Sequence, residues 1–328
     1  MRKKLFLIGV VAAAVMSAST VLAQDAGPRI ALFNPLGNNE YVRNAELGVR
    51  SIIEAAGGTV DAFDAGFNPE EQLNQINDAI TAGGYDAFII YSVDGVGVTV
   101  GVDDAAEAGI PVIALDAPIN PNRQTLIPYA NIAGQIARTG LGDGAQIGQA
   151  IVMACEGVDP CEVAFLIGFQ GFPLDLDRVD AIRSVIAPYP NISIVTVQEA
   201  SYLEDVGYNV STNILQGNPG IDVIASVGDQ MTLGAELAVQ DAGLEDQVKL
   251  IGNGASQDGY RAVAEGRWFA TVANIPFTNG QIAGQMALQA IAGELVIRSV
   301  DMYLQSPPIP SSGAVITQDN VGEFTPQW

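Results

Sequence analysis

Where the apolar runs of this sequence stop, side chains able to make paired hydrogen bonds begin. RIALF at 29–33 is followed by Asn34, then by Asn38, Asn39 and Tyr41. AFII runs into Tyr91, and PVIAL into Asp116. VAFLIG leads to Phe169, with Arg178 a little further along, and the loop after SIVTV carries Tyr202. VIASVG precedes Asp229, FATVA precedes Asn274, and Asp143 stands in GLGDGAQ. Carboxylates and carboxamides make paired hydrogen bonds, a guanidinium offers a planar fork of donors, and phenol rings stack on C–H faces. No cluster of Lys and Arg waits for a phosphate. Such a set suits a small, neutral, hydroxyl-rich molecule.

Each of these residues also has a purely structural use. Asp116 can cap a turn, and Asp229 can cap the helix that follows it. Arg178 can pair with Asp175 or Asp180 on its own helix. Tyr41, Tyr91 and Tyr202 can be core or rim aromatics, Asn39 and Asn274 caps, and Asp143 a turn residue. What favours the ligand reading is position: in parallel α/β sheets, ligands bind beyond the carboxyl ends of the strands.

Much chemistry is excluded outright. The chain has no histidine, which removes Ser-His-Asp and Cys-His arrangements and the HExxH zinc site. There is no GxSxG elbow, no Walker loop and no GxGxxG after the first strand. No cofactor is expected. A hydrolase built on two carboxylates stays open. The net charge of −23 repels nucleic acid and anionic lipid headgroups, so neither is expected as a partner.

The elements that must position these residues alternate. Strands are expected at 29–33, 59–63, 87–91, 111–115, 163–167, 193–197, 223–227, 249–252 and 269–273. Helical patterns occupy 39–56, 69–82, 177–187, 206–215 and 276–292, with further helices between the paired strands. Strands alternating with helices of ten or more residues imply parallel sheets covered on both faces. The pattern also repeats. GYDAFIIYSVDGVGVTVGVDDAAEAGIPVIALD and GIDVIASVGDQMTLGAELAVQDAGLEDQVKLIGNG share Gly-x-Asp, an apolar run, a polar turn, an Ala-rich stretch ending in Ala-Gly and a second apolar run. A duplicated strand–helix–strand unit predicts two similar lobes with a cleft between them. The proline-rich tail SPPIPSSGAVITQDN is expected to run as extended crossover and surface structure.

The N-terminus reads as an export signal. Arg2, Lys3 and Lys4 precede an apolar core from Leu5 to Met16, and Val21-Leu22-Ala23 is a small-residue cleavage site. The core is too short to span a bilayer, which needs roughly 20 apolar residues. Gln24 leaves no cysteine for a lipid anchor at that site. Cleavage after Ala23 and release to the periplasm or cell exterior are expected. In that oxidising compartment Cys155 and Cys161 are expected to form a disulfide, which closes only a short loop.

Five segments together carry a resemblance: RIALFNPLGNNEY, AEAGIPVIALD, LDLDR, ASVGDQMTLGA and DGYRAVAEGRWFATVAN. In their order and spacing the chain resembles the ribose-binding type of periplasmic sugar-binding protein of ABC transporters. The resemblance implies a type I periplasmic binding protein: two doubly wound, Rossmann-like α/β lobes joined by three crossovers. The lobes would be 24–141 plus 275–305 and 142–274 plus 306–328. It implies sugar contacts at Asn39, Tyr41, Asp116, Arg178, Tyr202 and Asn274, with Tyr91 where the pattern often has Asn. A membrane permease is the implied partner of a monomeric binder that closes about its hinge. A sensory protein presenting a sugar or furanone-like signal to a chemoreceptor would use the same cleft. The chain departs from the pattern at three places. Ala117 replaces the arginine after the strand-end aspartate, Gly228 replaces a polar residue, and Asn253-Gly254 stands where an acid is expected. These losses point away from ribose itself, towards a polyol, a deoxy sugar or a larger glycoside.

Overall fold

The computed structural model describes residues 27–294, 298–305 and 313–328. The expected export signal and the tail segment 306–312 therefore lie outside the described residues. Two sheets share the strands. The first contains β1 (Arg29–Asn34), β2 (Thr59–Asp64), β3 (Ala87–Ile90), β4 (Val112–Asp116) and β5 (Gly134–Ala137). The second contains β6 (Cys161–Ile167), β7 (Ile192–Glu199), β8 (Val223–Ser226), β9 (Lys249–Gly254) and β10 (Ala270–Ala273). Two late strands, β11 (Ser299–Asp301) and β12 (Val315–Thr317), extend the first and second sheets respectively. The orders are β11-β5-β4-β3-β1-β2 and β12-β10-β9-β8-β6-β7. The strand–helix–strand repeat thus produces the same doubly wound order twice.

Burial explains why the runs are continuous rather than alternating. Every residue of β3, β4, β8 and β10 is buried, as expected for strands covered on both faces. The first sheet has one apolar cluster on each face. Ile30, Leu32 and Ile89 pack with Val49 and Ala283, while Ala31, Phe33 and Phe88 pack with Ile76 and Val102. The second sheet gathers a single larger cluster around Phe165, Met231 and Trp268.

Helix ends follow local chemistry. In α1 (Glu40–Ala55), Asn39 is the N-cap and accepts from the Val42 amide; in α2 (Pro69–Ala82), Asn68 does the same for Glu70 and Glu71 and Pro69 opens the first turn. The helix expected from Asp177 starts earlier, as α5 (Pro173–Ile186). Proline suits that first turn because it lacks an N–H that would have no partner there. β5 and β11 were not legible as strands, being four and three residues long and, in β5, built of Gly-Gln-Ile-Ala. One pairing departs from the parallel expectation: β12 runs antiparallel to β10.

The chain passes between sheets between Ala137 and α4 (Gly140–Ala154), and again between Ala273 and α9 (Pro276–Ile291). Residues 299–301 belong to the first sheet and 315–317 to the second. Between α4 and β6 the sulfurs of Cys155 and Cys161 are joined, with Cα atoms 5.8 Å apart. No helix among the described residues is long and apolar enough to cross a membrane.

Candidate binding cleft

The carboxyl ends of the two sheets face one another across a cleft with about 550 Å³ of space between its atoms, open solvent at the mouth included. The first-lobe wall includes Asn39, Tyr41, Phe67, Tyr91 and Arg138. The opposite wall includes Phe172, Arg178, Tyr202, Gln230, Asn253 and Asn274, and Trp328 closes one side. No acidic side chain lines the cleft among the described residues.

Of the nine residues for which the sequence weighs a ligand contact against a structural use, six line the cleft: Asn39, Tyr41, Tyr91, Arg178, Tyr202 and Asn274. Asp116 and Asp143 stand directly behind this wall, 1% and 0% exposed. Asp116 accepts from the Tyr41 hydroxyl at 2.8 Å and lies 3.5 Å from Arg138 Nη2. Asp143 accepts from Arg178 Nε, from Asn253 Nδ2 at 3.1 Å, and from the Tyr303 hydroxyl. Asn274 closes the circuit. Its Oδ1 accepts from Arg138 and its Nδ2 donates to Asn253 at 2.8 Å. On the far side Arg178 Nη1 bonds Asp175 at 2.7 Å, and the Tyr202 hydroxyl donates to the same carboxylate at 2.7 Å. The pairing of Arg178 with Asp175 and its place in the cleft wall therefore coexist.

This chain of contacts sets the electrostatics. Burial pushes the Asp143 carboxyl up, but the Arg138 and Arg178 charges and the hydrogen bonds from Tyr303 and Arg178 outweigh it and hold the group at about 2. Burial prevails at Asp175 and raises it, against Arg178 and Tyr202. Burial also lifts the phenols of Tyr41, Tyr91 and Tyr202 well above their ordinary value. The cleft surface is thus made of phenols, amides and guanidiniums whose charge is balanced from behind. It offers donors and acceptors without a net demand for an anion.

Strain marks the same place. Asp116, Phe67 and Tyr202 hold φ of 69°, 61° and 56°, left-handed values that cost a non-glycine residue roughly 1–2 kcal/mol. At the mouth, Phe67 from the loop after β2 packs against Phe169 with its ring tilted by 32° and centroids 4.2 Å apart, and meets Phe172 edge-on at 5.0 Å. The fork of Arg123, from the β4–β5 loop, grips Asp177 of α5 at 3.1 and 3.2 Å. Both contacts tie one lobe to the other.

Asp229 does not belong to this cleft. Its side chain turns into the second lobe, where it accepts from the Ser256 amide at 2.7 Å, the Ser256 hydroxyl at 2.9 Å and the Thr271 hydroxyl at 2.8 Å. A Cβ at Gly252 or Gly259 would stand 2.2 or 2.4 Å from its oxygens, so the lobe is built around this carboxylate. It is the first residue of α7 (Asp229–Ala242), capped by Gly228, rather than the N-cap itself. The cleft is lined instead by its neighbours Gly228 and Gln230. Burial lifts the Asp229 carboxyl from 3.8 to about 6, against the Ser256 and Thr271 hydrogen bonds. Between those values the folded chain keeps a proton that the unfolded chain has released. Stability therefore falls as pH rises through this window, by about 3 kcal/mol at 1.36 kcal/mol per unit. Denaturant unfolding at pH 4.5 and 7 should show this slope in the parent and its loss in Asp229→Asn, which cannot titrate; parallel slopes would refute the assignment.

Sequence reasoning missed Phe67, Arg138, Trp328 and the structural partner Tyr303. Arg138 follows β5, a strand too short to read, and Phe67 sits in the loop after β2, past the strand end itself. Trp328 gave no local signal.

Fold and cleft are those of a type I periplasmic binding protein. The chain matches the family described as "Periplasmic binding protein domain" over residues 30–295, and it belongs to that family. It is 27% identical over 296 residues to the ribose import binding protein of Salmonella typhimurium, covering 90% of this chain and 95% of that one. It is 28% identical over 282 residues to a galactofuranose-binding protein of Escherichia coli, covering 84% and 85%. Among solved structures, an ABC transporter periplasmic solute binding protein from Actinobacillus succinogenes, with bound D-allose, superposes with a TM-score of 0.75 at 25% identity, covering 90% of this chain and all of that one.

Proposed function

We propose that this protein captures one small neutral sugar or polyol in the periplasm and delivers it to an ABC permease. The observation that carries the reading is the circuit Tyr41–Asp116–Arg138–Asn274–Asn253–Asp143–Arg178, which joins polar side chains of both lobes around one cleft. A ligand reaching both walls favours the closed arrangement by its differential contacts. Units 24–141 plus 275–305 and 142–274 plus 306–328 move as the lobes, with Phe67 and the Arg123–Asp177 pair meeting at closure. Asn39, Tyr91, Arg178, Tyr202 and Asn274 touch the ligand, while Asp116 and Asp143 act through Tyr41 and the arginines. The relatives' ribose, galactofuranose and D-allose fit this chemistry.

Capture without turnover is supported by the wall's composition. Glycoside hydrolysis uses two carboxyl groups flanking the scissile bond, and here the carboxylates stand behind the wall. Cleavage after Ala23 and an oxidised Cys155–Cys161 pair complete the exported, monomeric form.

The test is a melting-temperature screen of pentoses, hexoses in both ring forms, deoxy sugars and polyols. A ligand at 100 times its dissociation constant adds about 2.7 kcal/mol of stability. A clear upward shift with unchanged sugar is expected. No shift across the library, or a hydrolysed product, would end this reading.

A further inference from the structure

Trp328 is 5% exposed and lines the cleft, yet it is held by both lobes. Its ring meets Tyr41 of the first lobe edge-on, with centroids 5.4 Å apart. Its indole N–H donates to the carbonyl of Gly254, at the end of β9, at 3.0 Å. Its own carbonyl accepts from the Gln257 amide at 2.6 Å. Next to it, the Gln327 side chain accepts from the Thr278 amide at 3.1 Å and donates to the Thr278 hydroxyl at 2.7 Å, in the first turn of α9.

Gly254 makes room for this ring. Its φ is 147°, a value L side chains rarely adopt, and a Cβ there would lie 2.5 Å from Cζ2 of Trp328. The indole thus occupies the space that a side chain at the end of β9 would fill. Because its N–H is already engaged by Gly254, the ring can offer the cleft only its carbon surface.

We propose that Trp328 is the specificity-determining wall of the cleft: it selects a single-ring ligand that turns a C–H-rich or deoxygenated face towards β9, and it blocks ligands extended on that side. This rests on the sugar-binding reading above and deepens it. A ring face packed on an indole gains from dispersion and apolar burial, whereas a hydroxyl pressed there loses its water without a partner.

The test is calorimetric titration of the parent, Trp328→Phe and Trp328→Ala against matched hydroxy and deoxy monosaccharides and a set of disaccharides. Circular dichroism checks the fold of each. For the parent's best monosaccharide, Trp328→Ala should weaken binding about tenfold or more, as expected for loss of an aromatic wall. It should also reorder the panel, losing the discrimination between deoxy and hydroxy partners and admitting at least one disaccharide. Trp328→Phe should keep the parent's order. If the alanine variant does not fold, Trp328→Leu takes its place, since leucine fills the apolar contact with Tyr41 but presents no ring face. An unchanged order and unchanged affinities would overturn the inference and leave the sugar-binding reading standing. A parent that binds nothing in the panel would overturn both.

Discussion

Replacing Arg178 by alanine will lower the unfolding free energy by about 3–5 kcal/mol, the usual cost of stripping one partner from a buried ion pair. The side chain is 2% exposed and bonds two carboxylates that are themselves fully buried, Asp143 and Asp175. Without it both must be buried with weaker compensation, and Asp143 keeps only Arg138, at 3.6 Å, as a cationic neighbour. The effect depends on pH in a definite direction. In the parent, Asp143 is held at about 2, so its contribution is fully present above the unfolded value near 3.8 and is lost as pH falls through about 2. In the variant the two carboxyls rise, and ionising them costs stability as pH climbs above about 4. Urea unfolding at pH 4 and pH 7 should therefore show a larger gap between parent and variant at pH 7. Arg178→Lys, which keeps the charge but not the planar fork, should fall between the two. A gap under about 1 kcal/mol at pH 7 would place Arg178 among ordinary surface ion pairs and contradict its role here.

Asp116→Ala should weaken sugar binding by about 1.5–3 kcal/mol, the worth of hydrogen bonds to a charged group. The loss is indirect. Asp116 orients the Tyr41 hydroxyl and stands beside Arg138; both of those side chains, and not the carboxylate, line the cleft. Removing it frees a phenol and leaves a buried guanidinium with Asp143, at 3.6 Å, as its remaining carboxylate partner and Asn274 as its amide one. Asp116→Asn keeps an acceptor for Tyr41 and loses only the charge, so it should bind more tightly than the alanine variant. The alanine variant also carries the left-handed φ of 69°, which aspartate tolerates better than alanine, and should be less stable for that reason as well. Calorimetric titration with the sugar found by the melting screen checks this. Superimposable curves for Asp116→Ala and the parent would remove Asp116 from the binding machinery.

The cleft's lining explains how the departures noted in the sequence fit together. The arginine missing at position 117 has a counterpart in Arg138, which the pairing of β4 with β5 brings to the same strand end, one residue past the Asp116–Ala137 pair. The Arg138 amide even donates to the Asp116 carbonyl at 3.0 Å. The acid missing after KLIG leaves Asn253, which bridges Asn274 and Asp143, and Gly254, which admits Trp328. The cleft has exchanged carboxylate contacts for amide, guanidinium and indole ones.

Much of this was legible from residue order alone, because it depends on neighbours within a few positions. The strand and helix periods, the duplicated strand–helix–strand unit, the cap at Asn39, the proline that opens the helix at 69, and the absence of histidine chemistry are all local properties. So is the rule that polar residues follow the strands, which placed six of nine residues in one cleft. Tertiary structure decided what local order cannot encode. It turned Asp229 inward, because a pocket of glycines and hydroxyls gathered from β9, α8 (Gln257–Ala264) and β10 receives its carboxylate. It set Arg138 beside Asp116 through sheet register, and brought Trp328 from the far end of the chain to the first helix. Those contacts join residues separated by tens to hundreds of positions, and only the packing of two sheets and the meeting of two lobes bring them within reach.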